Sequence, residues 1–178
     1  MFLSRIEIII GPMFSGKSTE LLRRLNRYNA ININTLVINH TLDKRTNNSI
    51  KTHNNLKMDA LKVTNLVEII DTDTYKKASI IGIDEAQFFS DLKEFIVKSE
   101  SQNKTIIIAG LDGDYLRKPF GQILECIPLC DDLLKLKSMC TLCKDGTPAL
   151  FSKRIIEKKD KVLVGDKEYI AVCRKHYN

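Results

Sequence analysis

Short apolar runs alternate with amphipathic segments along most of the chain. The runs are rich in isoleucine and other β-branched side chains, a composition typical of strands buried on both faces. They are residues 5–10, 35–39, 79–84 and 104–109. Residues 18–30 place three leucines among arginines, the pattern of an amphipathic helix, and residues 91–101 are also predicted to be helical. This alternation predicts an α/β fold whose parallel sheet is covered on both faces.

Three further segments carry weaker patterns. Residues 40–55 are rich in Asn, Thr and Lys and are predicted to form a flexible loop. Residues 66–70 are expected to be a short strand, and residues 72–78 a short helix. The alternation then gives way to a basic, turn-rich segment that contains three cysteines. We therefore expect an α/β domain at residues 1–135 and a small second domain at residues 136–178.

Composition and charge exclude several classes of protein. The 178 residues are 43% hydrophobic and 28% charged, as in a folded globular chain rather than a disordered one. The formal charge of +6 suits phosphorylated partners but is too small to indicate nucleic-acid binding. No apolar run approaches the roughly 20 residues of a membrane-spanning helix. Arg5 and Glu7 interrupt the first run, so no signal peptide is expected. We expect a cytoplasmic protein without nucleic-acid or membrane partners.

The segment Gly-Pro-Met-Phe-Ser-Gly-Lys-Ser at 11–18 matches the P-loop pattern G-x-x-x-x-G-K-[ST] between a predicted strand and a predicted helix. Such a loop turns backbone amides toward phosphates, and the helix N-terminus adds partial positive charge. Lys17 would contact the terminal phosphates of ATP, and Ser18 would join the shell of Mg²⁺. A chance glycine-rich turn would not account for the lysine and the flanking elements together. The predicted ATP-binding residues are Gly11, Pro12, Met13, Phe14, Ser15, Gly16, Lys17 and Ser18.

Two carboxylates, Asp84 and Glu85, follow the third apolar run. In an open parallel sheet, ligands bind at the carboxyl ends of the strands. P-loop enzymes use an acid there to hold Mg²⁺, and often a second acid to orient the nucleophile. We assign Asp84 to the magnesium shell and Glu85 to the catalytic base. The alternative is that one or both acids cap a following helix.

Phe88 and Phe89 bear on what accepts the phosphate. A water acceptor would make the protein an ATPase, whereas a bound hydroxyl would make it a kinase. Flat apolar rings directly after the acids suit a stacked base better than a water molecule. The alternative is that the rings belong to the core, which is favoured for Phe89 and equally weighted for Phe88.

Four residues near the C-terminus have the spacing of a zinc site. Cys140 and Cys143 form a C-x-x-C pair, and Cys173 and His176 form a C-x-x-H pair. Together they supply the four ligands of a closed, structural Zn²⁺ site. A redox C-x-x-C motif or unrelated core thiols are the alternatives. The other two of the five cysteines, Cys126 and Cys130, lie in an apolar stretch and are expected in the core.

The residues between the two ligand pairs are expected to form a long loop with a hairpin-like core. It contains Phe-Ser-Lys-Arg at 151–154 and an apolar stretch at 162–165. A loop held by a metal could close over a small substrate. The basic run at 153–161 is, by itself, more typical of a solvated face.

Taken in order, these motifs resemble those of the zinc-bearing thymidine kinases found in cells and in large DNA viruses. The resemblance covers almost the whole chain. The strings that carry it are residues 11–19, Asp43-Lys-Arg45, Thr52-His53, Asp84 to Phe89, Leu111-Asp-Gly113, Arg117 to Phe120, both metal pairs, Phe151 to Arg154 and Tyr169. His176 stands where many members carry a fourth cysteine.

The resemblance implies a P-loop core of the recombinase-ATPase type with a C-terminal zinc lasso. It implies transfer of phosphate from ATP with Mg²⁺ to the 5′-hydroxyl of thymidine, a homotetramer, and feedback inhibition by dTTP. It also makes Glu85 the base and places Asp43 and Arg45 near the phosphates. The residues that it implies around thymidine are Met13, Phe88, Leu111, Tyr115, Phe120, Ser152, Val162, Leu163, Val164, Gly165 and Tyr169.

Two other functions remain open on the sequence. A P-loop ATPase stimulated by nucleic acid would share this core, although no separate DNA-binding module is evident. A zinc-stabilised binding module without turnover is the third possibility, and the lysine and paired acids argue against it. His40 and His53 are expected in loops or at the surface.

Overall fold

The computed structural model describes residues 4–43, 49–51, 57–156 and 168–178. Twelve strands lie in these ranges, and five of them have only two or three residues and lie in small ladders or at an edge of the main sheet. They are β1 Arg5–Ile10, β2 Thr35–His40, β3 Ser49–Lys51, β4 Lys57–Asp59, β5 Leu61–Val63, β6 Ile80–Ile83, β7 Thr105–Gly110, β8 Asp132–Lys135, β9 Ser138–Met139, β10 Pro148–Ala149, β11 Phe151–Arg154 and β12 Tyr169–Val172.

Helices connect the longer strands. The α-helices are α1 Lys17–Asn29, α2 Asp73–Lys77, α3 Leu92–Glu100 and α4 Arg174–Tyr177, and 3₁₀ helices lie at Val67–Ile69, Ala86–Phe88 and Ile123–Leu129. The positions of α1, α2 and α3 confirm the helices predicted from the sequence. No helix in the part of the chain that the structure describes is long and apolar enough to cross a membrane.

Six strands form one parallel sheet in the order β5-β2-β6-β7-β1-β8. The four apolar runs of the sequence are its four central strands, which confirms the predicted α/β architecture. Apart from exposed Arg5, the side chains of β1, β6 and β7 are almost fully buried because helices cover both faces. The edge strands β5 and β8 were not predicted, since both are short and only half-buried.

Two apolar cores lie on opposite faces of the sheet. Leu21, Leu22 and Leu25 of α1 pack on one face, and α3 packs on the other through Leu92 and Phe95. Helix α1 comes very close to β6, because a Cβ atom at Gly82 would lie 2.5 Å from Leu25 Cδ1. A glycine at this strand position therefore permits the helix that follows the P-loop to sit directly on the sheet.

Two of the weaker predictions are wrong. The segment 40–55 is not simply a loop, because His40 ends β2 and β3 pairs antiparallel with β4. Residues 66–70 contain a 3₁₀ helix rather than a strand. Leu66 and Ile69 are both buried, and this spacing of three places them on one side of a 3₁₀ turn.

The C-terminal segment has its own small apolar cluster. The ladders β9–β10 and β11–β12 and helix α4 surround buried Ala149, Ala171 and Val172. This cluster lies apart from the two cores of the sheet. A domain boundary after residue 135 remains a prediction, and this arrangement supports it.

A buried lysine, Lys104, binds the C-terminal end of helix α2. Lys104 Nζ donates hydrogen bonds to the carbonyl oxygens of Ala78 at 2.6 Å, Tyr75 at 2.9 Å and Lys76 at 3.2 Å. These carbonyls lie at the C-terminus of α2, where a positive charge also interacts favourably with the helix dipole. Burial lowers the pKa of Lys104, so the hydrogen bonds must offset the cost of desolvating the ammonium.

Replacing Lys104 with methionine is expected to lower the free energy of unfolding by about 1–3 kcal/mol, because three carbonyl oxygens, two of them in buried hydrogen bonds, lose a charged donor. Urea denaturation measures this difference. Lys77→Met, at an exposed position of α2, is the control and should change stability by less than about 0.5 kcal/mol. Equal effects of the two substitutions would contradict a role for the three hydrogen bonds.

Candidate functional site

The P-loop segment lies between β1 and α1, as its pattern requires. Gly16 has φ 84° and ψ 19°, in the left-handed region, and immediately precedes α1. At Gly11, a Cβ atom would lie 2.5 Å from the carbonyl oxygen of Leu136. Both glycines are therefore needed for the path of the chain. Lys17 Nζ reaches back over the loop to donate to the carbonyl oxygen of Pro12 at 2.8 Å.

Two hydroxyl groups from the C-terminal segment hold the P-loop from outside. The amide of Met13 donates to Ser152 Oγ at 2.9 Å, and Ser138 Oγ donates to the carbonyl oxygen of Phe14 at 3.1 Å. Ser138 and Ser152 are both buried. The structure thus brings together Met13 and Ser152, two residues that the family resemblance implies at the nucleoside.

The acidic pair lies at the same edge of the sheet as the P-loop. Asp84 is buried directly after β6, and its amide donates to the carbonyl oxygen of Ile38 at 2.9 Å. Glu85 has φ 52° and ψ 39°, a left-handed conformation that is unusual for a residue other than glycine. Its side chain makes no capping hydrogen bond to the 3₁₀ helix that follows. Capping by Glu85, one alternative considered from the sequence, is therefore not observed.

A neighbouring strand contributes a second set of buried polar groups. Asn39, in β2, donates from Nδ2 to Asp43 Oδ2 at 2.8 Å, and both side chains are almost fully buried. Lys62 Nζ donates to the carbonyl oxygen of Asp43. These contacts fix Asp43 near the carboxyl edge of β2. Arg45, its predicted partner in phosphate binding, lies outside the described residues.

His40 is buried, so the expectation of a surface or loop residue is wrong. Its ring centroid lies 4.7 Å from that of Phe89, edge to face, and 5.7 Å from that of Phe88. Burial lowers the pKa of His40, and its Nδ1 accepts a hydrogen bond from the amide of Leu42 at 3.0 Å. A neutral ring is thus favoured among the aromatic side chains. His53 lies outside the described residues.

The two phenylalanines after the acids have different environments. Phe89 is fully buried in the core, as the sequence favoured. Phe88 is only partly buried, and its ring meets that of Phe120 at 90° with centroids 5.7 Å apart. The chain brings Phe120 close because Gly121, with φ 63°, packs against Gln87, where a Cβ atom would lie 2.2 Å from the carbonyl oxygen. Phe88 and Phe120 form an apolar corner beside Glu85.

The loop after β7 is held by the C-terminal segment. Tyr177 donates from its hydroxyl to the carbonyl oxygen of Tyr115 at 2.7 Å, and the Arg117 guanidinium lies 4.2 Å from the centre of the Tyr177 ring. The Arg154 guanidinium lies 3.8 Å from the centre of the Tyr115 ring and donates to Tyr169 Oη at 2.9 Å. Arg154 therefore joins two tyrosines that the sequence assigned to the nucleoside.

Sequence reasoning missed four residues that organise this edge: Asn39, Gln87, Arg154 and Tyr177. Gln87 and Arg154 lie inside strings that carry the family resemblance, so those strings could have indicated them. Asn39 stands at the end of an apolar run, next to His40, where a buried amide is itself a signal. Nothing in the sequence distinguishes Tyr177 from other surface tyrosines near a chain end.

Cys140, Cys143, Cys173 and His176 come together as the sequence predicts. Their ligand atoms all lie within 4.8 Å of one another. Cys143 Sγ and Cys173 Sγ are 3.7 Å apart, and the three sulfur atoms lie 3.3–3.5 Å from His176 Nδ1. Cys126 is buried in the main core, and Cys130 is only partly buried.

These separations fit a tetrahedral zinc site. Bond lengths of about 2.3 Å to sulfur and 2.0–2.1 Å to nitrogen place sulfur atoms about 3.8 Å apart and sulfur about 3.6 Å from nitrogen. Burial opposes ionisation of Cys140, but hydrogen bonds from backbone amides, including that of Cys173, lower the pKa of its thiol. Four protein ligands complete the coordination shell, so such an ion would be structural and would be bound through His176 Nδ1.

Elemental analysis of the purified protein is expected to find about one zinc per chain. Cys140→Ser should reduce the zinc content to near zero and lower the melting temperature, because metal binding supplies folding free energy to this small unit. Cys130→Ser, which alters a thiol outside the cluster, is the control and should retain the metal. Undiminished zinc in Cys140→Ser would overturn the ligand assignment.

Comparison with known proteins places this arrangement in a family. A family model described as "Thymidine kinase" matches residues 4–177. The chain is 45% identical to the thymidine kinase of Yaba monkey tumor virus over 173 residues, which are 97% of this chain and 93% of that protein. It is 42% identical to the thymidine kinase of Vaccinia virus (strain Ankara) over 97% of this chain and 96% of that protein. It is 45% identical to the thymidine kinase of Sheeppox virus (strain KS-1) over 97% and 96%, respectively. The chain therefore belongs to the thymidine kinase family.

Proposed function

We propose that this protein transfers the γ-phosphate of ATP to the 5′-hydroxyl of thymidine and so produces thymidine monophosphate. The observation that carries the proposal is the common position of three features at the carboxyl edge of the sheet. The P-loop follows β1, the acidic pair follows β6, and the apolar corner of Phe88 and Phe120 lies beside the acids. A phosphate site, a base and a surface for a flat ring are the parts that a nucleoside kinase requires.

On the phosphate side, the chain supplies charge and backbone donors. The amides of the loop at residues 11–18 and the N-terminus of α1 suit an anion. Lys17, which lies across the loop, would turn from the carbonyl oxygen of Pro12 to the terminal phosphates. Asp43 and Arg45 would lie beside these phosphates. Ser18 and Asp84 would hold Mg²⁺, which when bound neutralises charge on the β- and γ-phosphates.

On the acceptor side, Glu85 would accept the proton of the 5′-hydroxyl and hold that oxygen in line with the phosphorus. Phosphoryl transfer has a loose transition state, so orientation matters more than strong basicity. The left-handed backbone at Glu85 is a strained conformation of the kind that clusters at active sites. This conformation supports assigning the base to half-buried Glu85 rather than to an exposed acid elsewhere.

The nucleoside would lie between the sheet edge and the C-terminal segment. Phe88 and Phe120 would offer apolar faces to the thymine. Tyr115 and Tyr169, which Arg154 joins, would supply further contacts. The remaining proposed contacts are Met13, Leu111 and Ser152. Val162, Leu163, Val164 and Gly165, which we also propose as contacts to the nucleoside, lie outside the described residues.

Assembly, regulation and location are parts of the same proposal. We propose a homotetramer that is inhibited by dTTP and acts in the cytoplasm, where the thiol ligands of a zinc ion stay reduced. The competing function, a P-loop ATPase stimulated by nucleic acid, is not favoured, because the matching family model and the similar viral proteins are all thymidine kinases.

Purified protein supplied with ATP and Mg²⁺ is expected to convert labelled thymidine into thymidine monophosphate. Thymidine monophosphate itself should not be phosphorylated. Thin-layer or liquid chromatography of the products, with and without added DNA, tests both functions at once. ATP hydrolysis that rises with DNA and leaves thymidine unchanged would favour the ATPase instead.

Glu85→Gln is expected to lower kcat for thymidine by at least about 100-fold, since a general base typically contributes 10²–10⁴-fold. The KM for ATP should change little, because the P-loop is intact. Glu94→Gln is the matched control: Glu94 is an exposed acid on α3 that forms an ion pair with Lys98 at 2.7 Å. Near-normal turnover in Glu85→Gln would remove Glu85 from the base role.

A further inference from the structure

The side chain of Gln87 connects the proposed base to the proposed nucleoside pocket. Gln87 Nε2 donates to Glu85 Oε2 at 2.6 Å, and the backbone amide of Leu111 donates to Gln87 Oε1 at 2.9 Å. Glu85 follows β6, whereas Leu111 follows β7. One amide group therefore spans the ends of two neighbouring strands, and Gln87 is 97% buried where it does so.

The chemistry of the two partners fixes which way the amide faces. The backbone N–H of Leu111 can only donate, so the oxygen of the Gln87 amide must face it. The NH₂ group then faces Glu85, where its partner oxygen has to accept. A carboxylate oxygen fulfils this role, and a hydrogen bond to an ionised group is stronger than one between neutral groups. The network thus gives one oxygen of the Glu85 carboxyl group a fixed hydrogen-bond donor.

Two glycines give Gln87 this position. A Cβ atom at Gly110 would lie 2.8 Å from Gln87 Oε1, and a Cβ atom at Gly121 would lie 2.2 Å from the carbonyl oxygen of Gln87. Any side chain at either position would displace the amide or its backbone. Gln87 is consequently confined on both sides, and its direction toward Glu85 is set by packing as well as by hydrogen bonds.

We propose that Gln87 is a positioning residue. It fixes the direction of the Glu85 carboxyl group for proton transfer, and it holds that group at a constant distance from the backbone of Leu111, which we place in the wall of the nucleoside pocket. This inference rests on the proposed function, because it requires Glu85 to be the base. Gln87 itself need not touch either substrate. Without it, Glu85 would keep its left-handed backbone but lose one restraint on the direction of its carboxylate.

A double-mutant cycle tests the inference. Gln87→Leu should lower kcat for thymidine about 10- to 100-fold, the loss that a misplaced catalytic group causes, and should leave the KM for ATP within about twofold. In the Glu85→Gln background, the same substitution should change kcat by less than about twofold, because a residue that acts through Glu85 has nothing left to position. Gln102→Leu, an exposed glutamine after α3, is the control and should be neutral in both backgrounds.

A second variant separates the two hydrogen bonds of the amide. Gln87→Glu keeps an acceptor for the amide of Leu111 but replaces the donor to Glu85 with a carboxylate. It should lose about as much kcat as Gln87→Leu. Full activity of Gln87→Glu would show that only the bond to Leu111 matters and would overturn the proposal. An equal loss from Gln87→Leu in both backgrounds would also overturn it, since Gln87 would then act independently of Glu85.

Comparison of the two single variants with the double variant separates this inference from the proposed function. If Glu85→Gln alone retains normal turnover, the base assignment fails, and the positioning role fails with it. If Glu85→Gln alone loses turnover but the effects of the two substitutions multiply, the base assignment stands and only the role of Gln87 fails. Zinc content and melting temperature, measured for every variant, identify any loss that comes from misfolding.

Discussion

The parallel pairing of β1, β7 and β6 is the constraint on which the rest of the structure depends. Ile10 lies opposite Gly110, and Ile83 lies opposite Ile108, so all three strands reach the same edge within two residues. The residue after each strand then belongs to the P-loop, the acidic pair or the pocket wall. A shift of one strand by one residue would exchange the side chains that pack against α1 with those that pack against α3. The close packing of Leu25 on Gly82 opposes such a shift in β6. The packing of the core thereby sets the distances between the P-loop, the acidic pair and the residues after β7.

The C-terminal segment contacts two of the loops at this edge of the sheet. Ser138 and Ser152 hold the P-loop, while Arg154 and Tyr177 hold the loop that carries Tyr115. These residues lie in or beside the ladders and helix that surround the cysteine and histidine cluster. The apolar content of this segment is small, so its shape depends on whatever the four ligands bind. A zinc ion at the cluster would therefore stabilise the contacts that this segment makes with the P-loop and with the loop that carries Tyr115.

The sequence predicted the elements whose signal is local. The apolar runs gave the four central strands, the leucines gave α1, and the spacing of Cys140, Cys143, Cys173 and His176 gave a cluster that the structure assembles. It could not give β5 or β8, because an edge strand of three or four half-polar residues has the same pattern as a loop. It also misplaced His40, since the rings of Phe88 and Phe89 that bury it come from a segment more than forty residues away. Contacts that depend on tertiary packing, such as the bridge from Gln87 to Leu111, have no periodic signal at all.

Buried polar side chains at this edge of the sheet each require hydrogen-bond partners. Asn39, Asp84 and Gln87 are each almost fully buried at the carboxyl ends of strands, where an apolar side chain would stabilise the fold more. Asn39 and Gln87 have their hydrogen bonds to Asp43, Glu85 and Leu111, and the amide of Asp84 bonds to the neighbouring strand. A partly paired network in such a place would cost more free energy than an apolar core. Substitutions there should consequently affect both stability and turnover, and only a comparison made with and without Glu85 can separate the two effects.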